Sequence, residues 1–284
     1  MKRRSVVLAS LAAVVAALPA AAQLPTGMFV MGIHAKLPDS LKNMPVPGGT
    51  AIDLEFTVMS DGHRVAVEMA PGAGLVAAMP MLSGIKVHAM YAMGVDSLHA
   101  GVVLPPALAK GVPGYRVDIS LKMLDSLRQA GSHILDSLGK KLADSVGKML
   151  PHPTYRSLGT TATVAGIPCE EWQTIVAKDT IENCVIPTPP MLHMMQEYVK
   201  NALGAQRLID QIPGLSDAAR QAYGGREMTS IRTTNARTGL RVELVSFSST
   251  PPDAARFDLP PGLLPMPGTP GSKPAGGGNG LDLR

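Results

Sequence analysis

Apolar and polar residues alternate along several stretches of this chain, which is the pattern of strands with one buried and one exposed face. The clearest stretch is Ala51–Met59, and His63–Met69 follows it after Asp61-Gly62, a dipeptide that suits a tight hairpin turn. Further strands are predicted at Phe29–Lys36, Ile85–Met93, Leu98–Leu104, Thr154–Val164, Pro168–Val176, Ile181–Ile186, Glu227–Thr234 and Leu240–Phe247. The alternation therefore predicts a sheet built from antiparallel hairpins.

Three other stretches change to the period of a helix. Between Asp118 and Leu150, leucines recur at steps of three or four residues and form a single stripe. Pro189–Leu203 and Ser216–Tyr223 also predict helices. Because the helices come in blocks and do not follow each strand, we expect an α+β fold, a curved, half-barrel-like antiparallel sheet with helices packed against it.

The first residues have the pattern of a signal peptide. Lys2-Arg3-Arg4 precedes the apolar run Val6–Leu18, and Ala20-Ala21-Ala22 offers small residues for cleavage after Ala22. A run this short rises about 20 Å as a helix, against the ~30 Å of a bilayer core, so we expect cleavage and no stable membrane insertion afterwards. We expect a periplasmic or secreted protein with a signal peptide over residues 1–22, one domain over 23–265 and a disordered Pro/Gly-rich tail over 266–284.

Charge excludes one class of partner. The chain has 26 basic and 22 acidic residues, for a net charge of +4, but Lys2, Arg3 and Arg4 belong to the predicted leader. The remaining 23 basic residues nearly balance the acidic ones, so the mature chain has no excess of charge for following nucleic-acid phosphates. We expect no nucleic-acid partner.

The predicted export decides which chemistry we expect of the two cysteines. Cys169 and Cys184 would meet an oxidising compartment, where a pair of cysteines forms a disulfide. No histidine lies close to either in sequence, and neither has a second cysteine at CxxC spacing, which disfavours a zinc site and a redox-active thiol. The sequence therefore predicts a structural disulfide between Cys169 and Cys184.

Three segments carry a family resemblance. Thr163–Trp172 is similar to the "iaGy-x-Cys-x-x-Tyr" strand entry of a family of exported bacterial domains of unknown function, whose sequences suggest lipoprotein-carrier-type half-barrels. Pro252–Gly262 resembles the family's "Phe-x-Leu-Pro-x-Gly-Tyr" ending, although Leu263 stands where that ending has Tyr. Gly62–Val65 resembles its early "Gly-x-x-x-Arg" hairpin. The resemblance implies a curved sheet partly closed over helices, an apolar cavity and no known catalytic residues.

Methionine is unusually common, at 17 residues against ten aromatic ones. Met191, Met194 and Met195 share one face of a predicted helix, and thioethers are soft ligands that suit Cu(I). The alternative is that methionine fills irregular apolar space in a core, or lines an adaptable cavity for an apolar ligand. A second group would form if its region folded back on itself, and it comprises Met79, Met81, His88, Met90 and Met93.

Catalytic motifs are absent from the sequence. No His-Glu-x-x-His, Gly-x-Ser-x-Gly or Walker A pattern occurs, and the histidines are scattered, at positions 34, 63, 88, 99, 133, 152 and 193. We therefore expect no enzymatic activity and no cofactor. The expected function is non-enzymatic binding of an apolar ligand, a lipid or a lipoprotein moiety. The alternatives are a methionine-rich copper-binding protein and a structural or interaction domain of the cell envelope.

Overall fold

The computed structural model describes residues 24–36, 51–109, 111–120, 153–176, 179–194 and 215–266. This part of the chain is mostly β and forms one sheet of twelve strands. The strands are β1 Gly27–Lys36, β2 Ala51–Ser60, β3 Arg64–Pro71, β4 Lys86–Ala92, β5 Ser97–Val103, β6 Gly114–Ser120, β7 Thr154–Val164, β8 Ile167–Val176, β9 Asp179–Pro187, β10 Met228–Asn235, β11 Leu240–Ser248 and β12 Leu264–Pro265.

The sheet consists of two antiparallel meanders joined along one strand. Strands β1 to β6 pair in chain order, and so do strands β7 to β11. Strand β1 pairs with β2 on one side and with β11 on the other, which makes the two meanders one sheet. The short β12 pairs in parallel with β6 at the far edge, so the sheet is mixed.

Within the described residues the helices are few and short. Residues 190–194 are helical and follow β9 in sequence. The others are the α-helices Ala73–Ala78, Pro106–Ala109 and Leu215–Ala222 and the 3-10 turns Pro80–Leu82 and Ala254–Phe257.

The expected α+β class is therefore wrong. It depended on the helical stripes at Asp118–Leu150 and Pro189–Leu203, most of whose residues lie outside the described residues, as do the predicted leader and tail. Within the described residues each alternating stretch pairs with a neighbouring strand, and helices only connect or flank the sheet. Asp118, placed at the start of a helix, lies instead in β6 and pairs with His99 of β5.

The hairpin around Asp61-Gly62 is confirmed. Gly62 has a φ of +94°, a backbone conformation that residues other than glycine rarely adopt. The Asp61 carboxylate accepts hydrogen bonds from the backbone N–H groups of His63 and Arg64, at 3.0 and 2.7 Å. These bonds fix the register of β2 against β3.

One cross-strand row forms the centre of the apolar core. The pairing register connects one residue from each of six neighbouring strands, and paired residues of antiparallel strands point to the same face. All six residues are buried: Phe29, Val58, Val67, Ala89, Ala100 and Val117. We call them the central row; the side of the sheet to which they point is the apolar face.

The opposite face of this meander is covered by the C-terminal segment, residues 251–266. Phe257 is fully buried against Met59 and Ala66, and the guanidinium carbon of Arg64 lies 4.5 Å from its ring centroid. Farther along the segment, Leu263 lies so close to Gly101 that a Cβ on this glycine would be 2.7 Å from the Leu263 Cδ1 atom. The segment is therefore fitted to the sheet and covers part of its second face.

Replacing Phe257 with alanine tests how much the packing of the C-terminal segment stabilises the sheet. We expect Phe257→Ala to lower the free energy of unfolding by about 3 kcal/mol, because a fully buried ring leaves a cavity between strands and segment. Urea unfolding followed by circular dichroism measures the change. Leu264→Ala is the matched control, because its side chain is 45% exposed on the same segment, and it should change little. A Phe257→Ala loss as small as the control's would contradict the packing role.

The predicted disulfide is confirmed, and it joins the neighbouring strands β8 and β9 through Cys169 and Cys184. Both half-cystines are buried in the core. Disulfides persist in oxidising compartments, so the bond indicates the periplasm or the cell exterior.

Removing the disulfide should weaken the fold. The bond closes a loop with a sequence separation of 15, and for such a loop the chain-entropy model gives about 3 kcal/mol. We expect the double variant Cys169→Ala/Cys184→Ala to lose about this free energy of unfolding. Wild-type protein unfolded under reducing conditions is the control and should lose a similar amount. Equal stability of the oxidised wild type and the double variant would contradict a stabilising role.

Candidate functional site

The apolar face continues from the central row into a less buried row. The same register connects six residues beside the central row, and five of them are only partly buried. They are Met31, Phe56, Met69, Val87, Val102 and Tyr115. We call them the marginal row. Solvent exposure on the apolar face therefore increases from the buried central row to the partly buried marginal row.

Small residues sit in the middle of this face. Ala89 and Ala100 are directly paired in the central row, flanked by Val67 on one side and Val117 on the other. Ala89 and Ala100 are both fully buried, so other apolar side chains of the core pack over them.

Methionines are concentrated around the edge of the same core. Of the partly buried apolar residues packed against it, five are methionines: Met31, Met69, Met93, Met194 and Met266. Thioether side chains are unbranched and adapt their shape, which is why they recur at surfaces that accept variable apolar ligands. The edge of the apolar face therefore has adaptable side chains.

Two of the three residues of the predicted methionine site lie within the part of the chain that the structure describes. Met191 is 2% exposed and belongs to the hydrophobic core, and Met194 packs against that core. Met195 lies outside the described residues. The structure thus brings Met191 and Met194 to one apolar cluster, and copper binding there stays a prediction.

The second methionine group is not brought together. Met81 is 53% exposed, whereas His88 is buried and bonded to Glu68. Met90 packs with Phe257 on the face opposite to the central row, and Met93 packs against the main core. Among the described residues, no three side chains of the His, Cys, Asp and Glu types are placed to hold a metal ion.

A half-buried carboxylate, Glu68, lies at the centre of a charged cluster on the face opposite to the apolar face. Glu68 lies 3.3 Å from His88 Nδ1, 3.4 Å from Lys86 Nζ and 3.3 Å from Arg256 Nη2. Burial raises the pKa of Glu68, but the His88 hydrogen bond and the Lys86, His88 and Arg256 charges outweigh burial and lower this pKa to about 2. The ionised Glu68 therefore helps to hold the C-terminal segment through Arg256.

A pocket of about 400 Å³ opens on the same side as Glu68, over β1 and β2. His34 Nδ1 and Asp53 Oδ1 in its wall are 2.7 Å apart. Asp53 also accepts hydrogen bonds from the backbone N–H groups of Gly74 and Leu75, at 2.6 and 3.2 Å. Asp53 thus holds the start of the helix Ala73–Ala78 and orients the His34 ring, and the lining supplies no hydroxyl or thiol nucleophile.

Sequence reasoning identified the methionine content but missed the geometry of both faces. The cross-strand rows depend on the register of β6, a strand that the pattern did not predict. Glu68 and Arg256 are 188 residues apart in sequence, and no local signal connects them. The alternation of Val65 and Val67 with Ala66 and Glu68 was the signal that could have placed Glu68 away from the apolar face.

The comparisons with known proteins do not assign the chain to a family. No family model and no curated protein matches it. A solved structure titled "Structure of PNGF-II in P21 space group" is similar over 82% of this chain and 30% of that chain, with 9% identity and a TM-score of 0.25. At this TM-score the likeness bears on neither fold nor function. No helix among the described residues is long and apolar enough to cross a membrane.

Neutralising Glu68 should destabilise the protein in a pH-dependent manner. We expect Glu68→Gln to lower the free energy of unfolding by about 2 kcal/mol at pH 7, since buried hydrogen bonds to a charged group are lost. The ordinary pKa of a glutamate is about 4.3. The contribution of Glu68 should therefore be complete above this pH and be lost as the pH falls towards 2.

Urea unfolding at a series of pH values measures this difference. Glu55→Gln is the matched control, because Glu55 is an exposed glutamate on the neighbouring strand, and its effect should be small at each pH. A Glu68→Gln effect that is independent of pH would show that the ionised carboxylate is not what stabilises the segment.

Proposed function

We propose that this chain is an exported protein that binds an apolar ligand, an acyl chain or the lipid moiety of a lipoprotein, against its apolar face. The observation that carries the proposal is the partly buried marginal row, which continues the buried central row across six strands and is edged by methionines.

The dimensions support an acyl chain. Neighbouring strands lie about 4.8 Å apart, so five intervals make the marginal row about 24 Å long. One leaflet of a bilayer core is about 15 Å deep, half of the ~30 Å core. The row is thus long enough to lie against an extended acyl chain. Each buried methylene contributes about 0.8 kcal/mol, so a chain of this kind binds without charged contacts.

The residue types of the apolar face favour an apolar ligand over a polar one. The central row is entirely aliphatic or aromatic, and the marginal row has the Tyr115 hydroxyl as its one polar group. Glu68, His88 and the His34–Asp53 pair all lie on the opposite face by strand alternation. The two faces are therefore chemically separate, and the charged one does not reach the proposed ligand.

Export supports the same function. The Cys169–Cys184 disulfide is typical of an oxidising compartment, and the leader over residues 1–22, cut after Ala22, is the proposed route to it. Lipids cross aqueous spaces only when a protein covers their chains. A periplasmic or secreted protein with an apolar face meets that need.

Binding of a dansyl-labelled fatty acid to delipidated mature protein tests the proposal. We expect saturable binding by the wild type, and about tenfold weaker binding by Met69→Gln, because an amide in the marginal row loses its hydrogen bonds with water. Met81→Gln is the matched control, since Met81 is 53% exposed, and it should bind like the wild type. Native mass spectrometry of gently extracted protein should also find co-purified lipid.

Two results would overturn the proposal. One is the absence of both probe binding and co-purified lipid in protein whose circular dichroism is that of a folded sheet. The other is equal weakening by Met69→Gln and Met81→Gln, which would place the probe away from the apolar face.

A further inference from the structure

Three side chains on the face opposite to the apolar face are arranged as a nucleophile, a base and an orienting carboxylate. Ser97 Oγ lies 3.3 Å from His99 Nε2, and His99 Nδ1 lies 2.6 Å from Asp118 Oδ1. Ser97 and His99 are two residues apart on β5 and therefore share a face, and Asp118 is directly opposite His99 on β6. The hairpin β5–β6 thus brings together residues that no sequence motif connects.

The two contacts suit one tautomer of the neutral ring. With its proton on Nδ1, the imidazole donates to the Asp118 carboxylate, which only accepts. In that tautomer Nε2 accepts from the Ser97 hydroxyl. A hydroxyl bonded to a base that is itself oriented by a third group is the arrangement that activates serine nucleophiles on unrelated folds.

We propose that Ser97, His99 and Asp118 form a nucleophilic site that hydrolyses carboxylic esters. This activity goes beyond ligand binding on the apolar face and is independent of it, because the strand alternation puts the two sites on opposite faces of the sheet. It also departs from the expectation of no catalysis, which depended on local motifs alone.

The reaction follows from the geometry. Ser97 Oγ attacks the acyl carbon while its proton passes to His99 Nε2. The bond from the acyl carbon to the alcohol oxygen then breaks, its electron pair stays on that oxygen, and the alcohol leaves with the proton from His99. Water adds to the acyl-serine by the same route, which releases the carboxylic acid and restores the Ser97 hydroxyl.

The surroundings select the substrate class. His99 and Asp118 are 34% and 56% exposed, so an ester reaches them from solvent without opening the fold. The exposed Asp118 carboxylate beside His99 disfavours anionic substrates. Met90 is paired with His99 on β4 and gives an apolar surface next to the base. These features favour neutral or cationic esters with a small apolar acyl group.

Two measurements on the full mature chain test the site. The first is labelling by a biotinylated fluorophosphonate, with the modified serine identified by peptide mass spectrometry. The second is hydrolysis of p-nitrophenyl acetate by the wild type and by Ser97→Ala, His99→Gln and Asp118→Asn. The matched controls are Ser83→Ala and His63→Gln, which remove an exposed hydroxyl and an exposed imidazole elsewhere.

We expect label on Ser97 and not on Ser83, with loss of labelling in His99→Gln and Asp118→Asn. Hydrolysis should fall about 10²-fold in Ser97→Ala and in His99→Gln, the usual contribution of a positioned base, and stay unchanged in both controls. Labelling of Ser97 no greater than that of Ser83 would overturn the proposal. Hydrolysis that falls in His99→Gln but not in Ser97→Ala would also overturn it, because an exposed imidazole alone would then be responsible.

Discussion

The pairing of β1 with both β2 and β11 is the constraint on which the rest of this structure depends. Each meander by itself is a local arrangement of hairpins, whose strands pair with their neighbours in sequence. Strand β1 alone connects them, and it sets Phe29 opposite Val58 on one side and opposite Phe247 on the other. Strand β1 lies near the start of the described residues and β11 near their end, so their pairing joins distant parts of the chain. It therefore fixes which residues of the two meanders share a core.

The register that follows from this pairing separates apolar and polar chemistry between the two faces. A shift of one residue in β3 would put Glu68 on the apolar face and Val67 under the C-terminal segment. The central row requires register to be kept over six strands, and the Asp61 turn and the close fit of Leu263 on Gly101 both help to keep it. The lipid-binding face that we propose and the ionised Glu68 cluster are thus two consequences of one register.

The face opposite to the apolar face carries more varied side-chain chemistry than the apolar face does. It contains the half-buried Glu68 with Lys86, His88 and Arg256 around it, the pocket with the His34–Asp53 pair, and the Ser97–His99–Asp118 cluster. Each of these is a cross-strand arrangement, in which one strand supplies the histidine and a neighbouring strand supplies the carboxylate. In each pair the carboxylate gives one ring nitrogen of the histidine a partner.

The sequence by itself determined the hairpin at Asp61-Gly62, ten of the twelve strands and the Cys169–Cys184 pairing, because alternation, turn chemistry and cysteine count are local properties. It could not determine β6, since the alternation of Tyr115, Val117 and Ile119 runs directly into a helical stripe. Only the tertiary structure decided that Glu68 meets Arg256, or that Asp118 meets His99. Such contacts depend on strand register and on how the C-terminal segment folds back, and both are set by packing between residues distant in the chain.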